Sequence, residues 1–61
     1  MIPITFIQDG SIVMECMMPA VPRIGEQVDL FNLDGDHCPS VTGVVWYVVP
    51  NSKAYVHVEI S

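Results

Sequence analysis

Ile2-Pro3-Ile4-Thr5-Phe6-Ile7-Gln8-Asp9-Gly10-Ser11-Ile12-Val13-Met14-Glu15-Cys16-Met17-Met18 is the stretch on which the fold turns. Two apolar runs flank Asp9-Gly10. Both residues of that dipeptide tolerate positive φ, so it closes a two-residue β-hairpin. In the first run Ile2, Ile4 and Phe6 share a face. In the second, Ile12, Met14, Cys16 and Met18 share one, while Val13 and Met17 fall on the other beside Glu15. Pro3 has no N–H to donate, which suits the beginning of an edge strand.

Outward from the hairpin, turn residues cut the rest of the chain into further runs of strand length. Pro19, Pro22 and Gly25 mark one connection, and Asn32, Asp34, Gly35, Asp36 and Pro39 mark another. Pro50-Asn51-Ser52-Lys53 marks the last turn. Between them lie Gln27–Leu33, Val41–Val49 and Ala54–Ile60. In the last of these Ala54, Val56, Val58 and Ile60 alternate with Tyr55, His57 and Glu59. No stretch carries an apolar repeat of helical period, and ten valines among 61 residues favour sheet. The expectation is an all-β chain, a single domain over residues 1–61. Its five short strands make a small antiparallel barrel or meander of SH3-like type, whose closure removes free edges.

Size sets the next constraint. For a chain of 6.7 kDa, folding buries about 60% of the unfolded surface. Apolar burial and chain ordering are then each on the order of 90 kcal/mol and cancel. Yet 51% of the residues are hydrophobic and 15% are charged. Val41–Val49 concentrates the surplus, being apolar on both faces, with Gly43 placed for a bend or bulge. The chain is therefore expected to be a homo-oligomer or to hold a partner. Val44, Trp46, Val48, Tyr55 and His57 are the candidate interface residues, because Trp and Tyr dominate interface energetics.

Charge narrows the partner. Seven acidic residues against Arg23 and Lys53 give a net charge of −5. Two cations cannot neutralise a phosphate backbone, so direct nucleic-acid binding is not expected. An acidic surface fits a basic groove on another protein, with Asp34 and Asp36 as the candidate acidic contact. The first residues lack the basic stretch and cleavage site of a signal peptide, and the longest apolar run is too short to span a membrane. No membrane association and a cytoplasmic location are expected. Cys16 and Cys38 stand 22 positions apart without the dense framework of a secreted scaffold, and are expected to be free thiols.

Candidate chemistry is thin. Asn32-Leu33-Asp34-Gly35-Asp36 opens like a calcium loop, but His37 and Gly43 stand where that loop needs glycine and a carboxylate. His37, Cys38, Cys16 and His57 lack metal-ligand spacing. A Cys38–His57 pair lacks a third orienting group and a cleft. The aromatic residues Phe6, Phe31, Trp46, Tyr47 and Tyr55 lack the interleaved cations of a base-stacking platform. No enzyme, cofactor or metal is expected. Arg23, Gly25 and Lys53 are the only candidates for holding an anionic ligand, and then at an oligomer interface.

Val21-Pro22-Arg23-Ile24-Gly25-Glu26-Gln27-Val28-Asp29-Leu30 is followed by Val41-x-x-Val44-x-Trp46 and Val56-x-Val58-x-Ile60. Across residues 21–60 this resembles a recurring pattern in small phage- and prophage-encoded β-barrel-like proteins. The Gly-acid-x-Val unit also opens strands in many SH3-like barrels. The resemblance implies a phage setting and carries over no catalytic residue. The segment from Asn32 to Ser40 is longer and more acidic than the pattern. Together these features lead to a non-enzymatic phage-type protein that self-associates and binds a host or anti-phage defence protein. Two alternatives are a nucleotide-sequestering protein with sites between protomers and a minor virion component.

Overall fold

The computed structural model describes residues 1–30 and 38–61. They form four strands: β1 (Ile2–Gln8), β2 (Ser11–Met18), β3 (Val41–Tyr47) and β4 (Tyr55–Ile60). The strands lie in one sheet in the order β2-β1-β4-β3. The all-β class is as expected. A fully antiparallel barrel or meander is not what the described residues form: the sheet is open, and β1 and β4 run parallel.

Two antiparallel hairpins build this sheet. Asp9 (φ 53°) and Gly10 (φ 78°) close β1–β2 with both turn residues at positive φ, the geometry that follows the twist of the strands. Val49-Pro50-Asn51-Ser52 turns the chain from β3 toward β4. Ser52 N–H donates to the Val49 carbonyl at 3.1 Å, and Asn51 takes a positive φ (62°), as the residue after proline does in a type II turn. The hairpins then join through the parallel β1–β4 pair, in the register Ile4↔Val56, Phe6↔Val58, Gln8↔Ile60.

β1 and β4 take the centre because they carry the best inward sets. Ile4 and Phe6 of β1 and Val56, Val58 and Ile60 of β4 are all buried. Pro3 therefore sits in a central strand rather than an edge strand. It is tolerated because β4 pairing begins one residue later, at Ile4. Each edge strand is bulged, as open edges commonly are. In β2 two steps, Met14 to Ile12, oppose one step of β1, Phe6 to Ile7, so Val13 is the extra residue. Val13 packs toward the core and Ile12 is exposed, the reverse of simple alternation. In β3 the expected irregularity at Gly43 falls between Val41 and Gly43, leaving Thr42 extra. Its Oγ1 donates to the Glu59 carbonyl at 3.3 Å.

The segment 21–30 covers one face of the sheet, here called the inner face. Leu30 is buried in the core, and Val21 and Val28 pack against it. Gly25 and Val28 N–H groups donate to the carbonyls of Val41 and Pro39, and Val41 N–H returns to Glu26. Among the described residues of the expected strand 27–33, Gln27 alone makes a β-bridge, with Ser40. Its last three residues lie outside the described residues. The strand expected at 41–49 ends at Tyr47, and the one expected from Ala54 begins at Tyr55.

Two glycines separate backbone need from space. Gly25 (φ 95°) has nothing near a would-be Cβ, so its requirement is conformational. Gly43 has ordinary φ, and a Cβ there meets the Glu59 side chain, closest at its flexible end, 3.1 Å from Oε2. Gly25→Ala is expected to lower stability by about 1–2 kcal/mol. Gly43→Ala is expected to stay within about 0.5 kcal/mol of the parent. Urea unfolding of the two variants checks both.

Candidate functional site

Residues opposite one another across a ladder share a face. Val41, Val44 and Trp46 oppose Ile60, Val58 and Val56, so they belong to the inner face. Gly43, Val45 and Tyr47 oppose Glu59, His57 and Tyr55 and belong to the outer face. From β1 the outer face receives Pro3, Thr5 and Ile7, and from β2 Met17, Glu15 and Ile12. No described segment packs over this side as 21–30 packs over the inner one.

An aromatic cluster stands on the outer face. The rings of Tyr47 and Tyr55 are stacked, with centroids 4.9 Å apart and planes 7° from parallel. His57 tilts against both, at 4.5 Å from Tyr47 and 5.8 Å from Tyr55. Cross-strand pairing accounts for the Tyr47–Tyr55 contact, and the diagonal neighbour brings in His57.

Beside the cluster lies a shallow trough of about 530 Å³. Pro3 and Thr5 of β1 form its floor. Tyr55 and His57 of β4 form one wall, and Glu15 and Met17 of β2 form the other. Small residues on the central strand between larger ones on its neighbours make the depression.

The candidate interface residues are thus divided. Tyr55 and His57 come together on the outer face. Val44 packs against the core on the inner face. Trp46 lies on the same side as Val44 but is 52% exposed, and Val48 beyond the strand end is 74% exposed. The bulge is the physical reason: it restarts the alternation after Val41 and sends Trp46 away from Tyr55 and His57. Tyr47, Glu15 and Met17, absent from the sequence-derived set, complete the outer-face site. The alternation in β3 and the Glu15–Met17 spacing hint at them, but the parallel pairing that juxtaposes β2, β1 and β4 has no local signal.

The anionic-ligand candidates are not brought together within one chain. Gly25 sits beside Val41, and Lys53 precedes Tyr55, the partner of Tyr47. Val41 and Tyr47 are six strand steps apart, roughly 20 Å at ~3.3 Å per residue. The Gly25 amide already donates to Val41. Arg23 N–H donates to the Glu26 carboxylate, and Glu26 N–H to the Arg23 carbonyl at 3.1 Å. The Arg-x-Gly-Glu motif is accordingly a turn closed by Arg23 and Glu26, with its Gly25 amide engaged by Val41. Asp34 and Asp36 lie outside the described residues, as does most of the calcium-like loop. Cys16 is a half-buried free thiol and Cys38 an exposed one. Among the described residues no group of acidic, His and Cys side chains is placed to hold a metal. No helix of the described residues is long and apolar enough to cross a membrane.

No family model, curated protein or solved structure matches the chain.

Replacing Tyr47 and Tyr55 singly and together by leucine is expected to give a coupling of about 0.5–1.5 kcal/mol between them. A double-mutant cycle in urea unfolding measures it.

Proposed function

We propose that this chain is a non-enzymatic interaction protein that self-associates and uses its second sheet face to bind another protein. One observation carries the proposal: the sheet is covered on one side by 21–30, while its other side holds the packed Tyr47–Tyr55–His57 cluster, over which no other described segment packs. A covered face accounts for stability. An aromatic face that no described segment covers, in so small a domain, has the composition of a protein interface, where Tyr and Trp are enriched.

The two activities occupy different surfaces. Self-association is placed at the end of β3, where Trp46, Val48 and Val49 are exposed beyond the reach of the core. Partner binding is placed at the outer face. The resemblance to a phage-type sequence pattern supports a host or anti-phage defence protein as the target, inhibited by occlusion. A body of 61 residues reaches a typical interface area only by committing most of one face.

Light scattering after size-exclusion chromatography tests the first part. A mass above that of the monomer is expected across about 1–100 μM, the range that resolves a micromolar dimer. Trp46→Ala is expected to raise the dissociation constant about 30-fold, the effect of losing one interface anchor worth about 2 kcal/mol. A monomer over the whole range would contradict self-association.

A further inference from the structure

We propose that the trough between Glu15 and the Tyr55–His57 wall is a receptor for an arginine side chain presented by a basic protein partner. The proposal rests on the assignment of the outer face to partner binding and specifies what that face recognises.

Geometry supports a single inserted side chain. The two walls stand on β2 and β4, which flank β1, so their backbones are about 10 Å apart at ~4.8 Å per strand. That spacing admits one side chain in contact with both walls, in the place a neighbouring strand's residue would take. The floor, Pro3 and Thr5, is low enough to leave the space open.

Chemistry selects the side chain. One wall is aromatic and the other carries the Glu15 carboxylate and the Met17 thioether. A cation that is also flat and has an apolar stem satisfies all three. A guanidinium stacks on the Tyr55 ring, donates its N–H groups to a carboxylate in its own plane, and trails a methylene chain along Met17. A lysine ammonium gains the charge but not the stacking. The outer face bears Glu15 and Glu59 and, among the described residues, no Lys or Arg. Neither Arg23 nor Lys53 lines the trough.

Charge also chooses between occupants. A second copy of the chain would bring another outer face with the same two carboxylates, at a net charge of −5 per chain. Like charges set opposite one another are unfavourable. A basic segment of another protein is attracted to the face over its whole approach.

Titrating the full chain with hexa-arginine, while following the ring protons of Tyr55 and His57 by NMR, tests the proposal. The rings are expected to shift saturably. Hexalysine and spermine, cationic without a planar group, are expected to bind more weakly. Glu15→Gln and Tyr55→Leu are each expected to weaken hexa-arginine binding about tenfold. Asp9→Asn removes the same charge at the hairpin tip and is expected to change it less than twofold. Equal weakening by Glu15→Gln and Asp9→Asn would reduce the effect to net charge and overturn the site. Shifts produced equally by hexaglutamate would overturn the arginine assignment while keeping the face as a protein-binding surface. No shift with any peptide, in a chain that self-associates normally, would overturn the receptor alone.

Discussion

Everything in this chain hangs on the parallel pairing of β1 with β4. Each is one arm of an antiparallel hairpin, and a single isolated hairpin is marginal in water. Joining the two through their most apolar strands makes one sheet of four. It also collects Ile4, Phe6, Val56, Val58 and Ile60 into one buried layer. The segment 21–30 then has an apolar surface to close over, with Leu30 in the core and its backbone tied to Pro39 and Val41. Without the central pair neither the layer nor its cover has a counterpart.

The same pairing builds the outer face. Because β2, β1 and β4 are consecutive in the sheet, Glu15 and Met17 come to stand across Pro3 and Thr5 from Tyr55 and His57. β3, on the far side of β4, adds Tyr47 behind those rings. Stability and the proposed recognition are thus two sides of one ladder. Residues at even positions of β1 and β4 form the buried layer, and those at odd positions carry the surface proposed for a partner. An odd-position substitution changes that outer surface while the buried layer stays intact.

Much of this was legible in the sequence. Asp9-Gly10 announced the first hairpin, and Pro50-Asn51 the second turn. The inward faces of the first and last strands followed from plain alternation. The apolar excess at the end of β3 is real: Trp46, Val48 and Val49 are all exposed. Three features were not legible, each for a physical reason. The bulge at Val13 reverses the facing of Ile12, and one added residue leaves no mark on composition. The bulge at Thr42 separates Trp46 from Tyr55 and His57, so a patch drawn from neighbouring aromatics divides between two faces. The pairing of β1 with β4 is a contact between chain ends. Turn chemistry specifies pairing within a hairpin and says nothing about pairing between hairpins, and so a meander was the natural expectation. In the Arg-x-Gly-Glu motif, read as part of a family-like pattern and, with Arg23 and Gly25, as a candidate anion contact, the Arg23 and Glu26 N–H groups bond within the turn and the Gly25 N–H bonds to Val41.

The central claim is that β1 and β4 lie side by side, parallel, and turn Thr5 and His57 to the same open face. Interstrand nuclear Overhauser effects in solution test it most directly. Contacts of Ile4 with Val56, Phe6 with Val58 and Thr5 with His57 are expected, in a sequence that ascends along both strands. Ring contacts from Tyr55 and His57 to Tyr47 are expected as well. Contacts that descend along one strand while ascending the other, or β2 paired with β3 as in a meander, would contradict it.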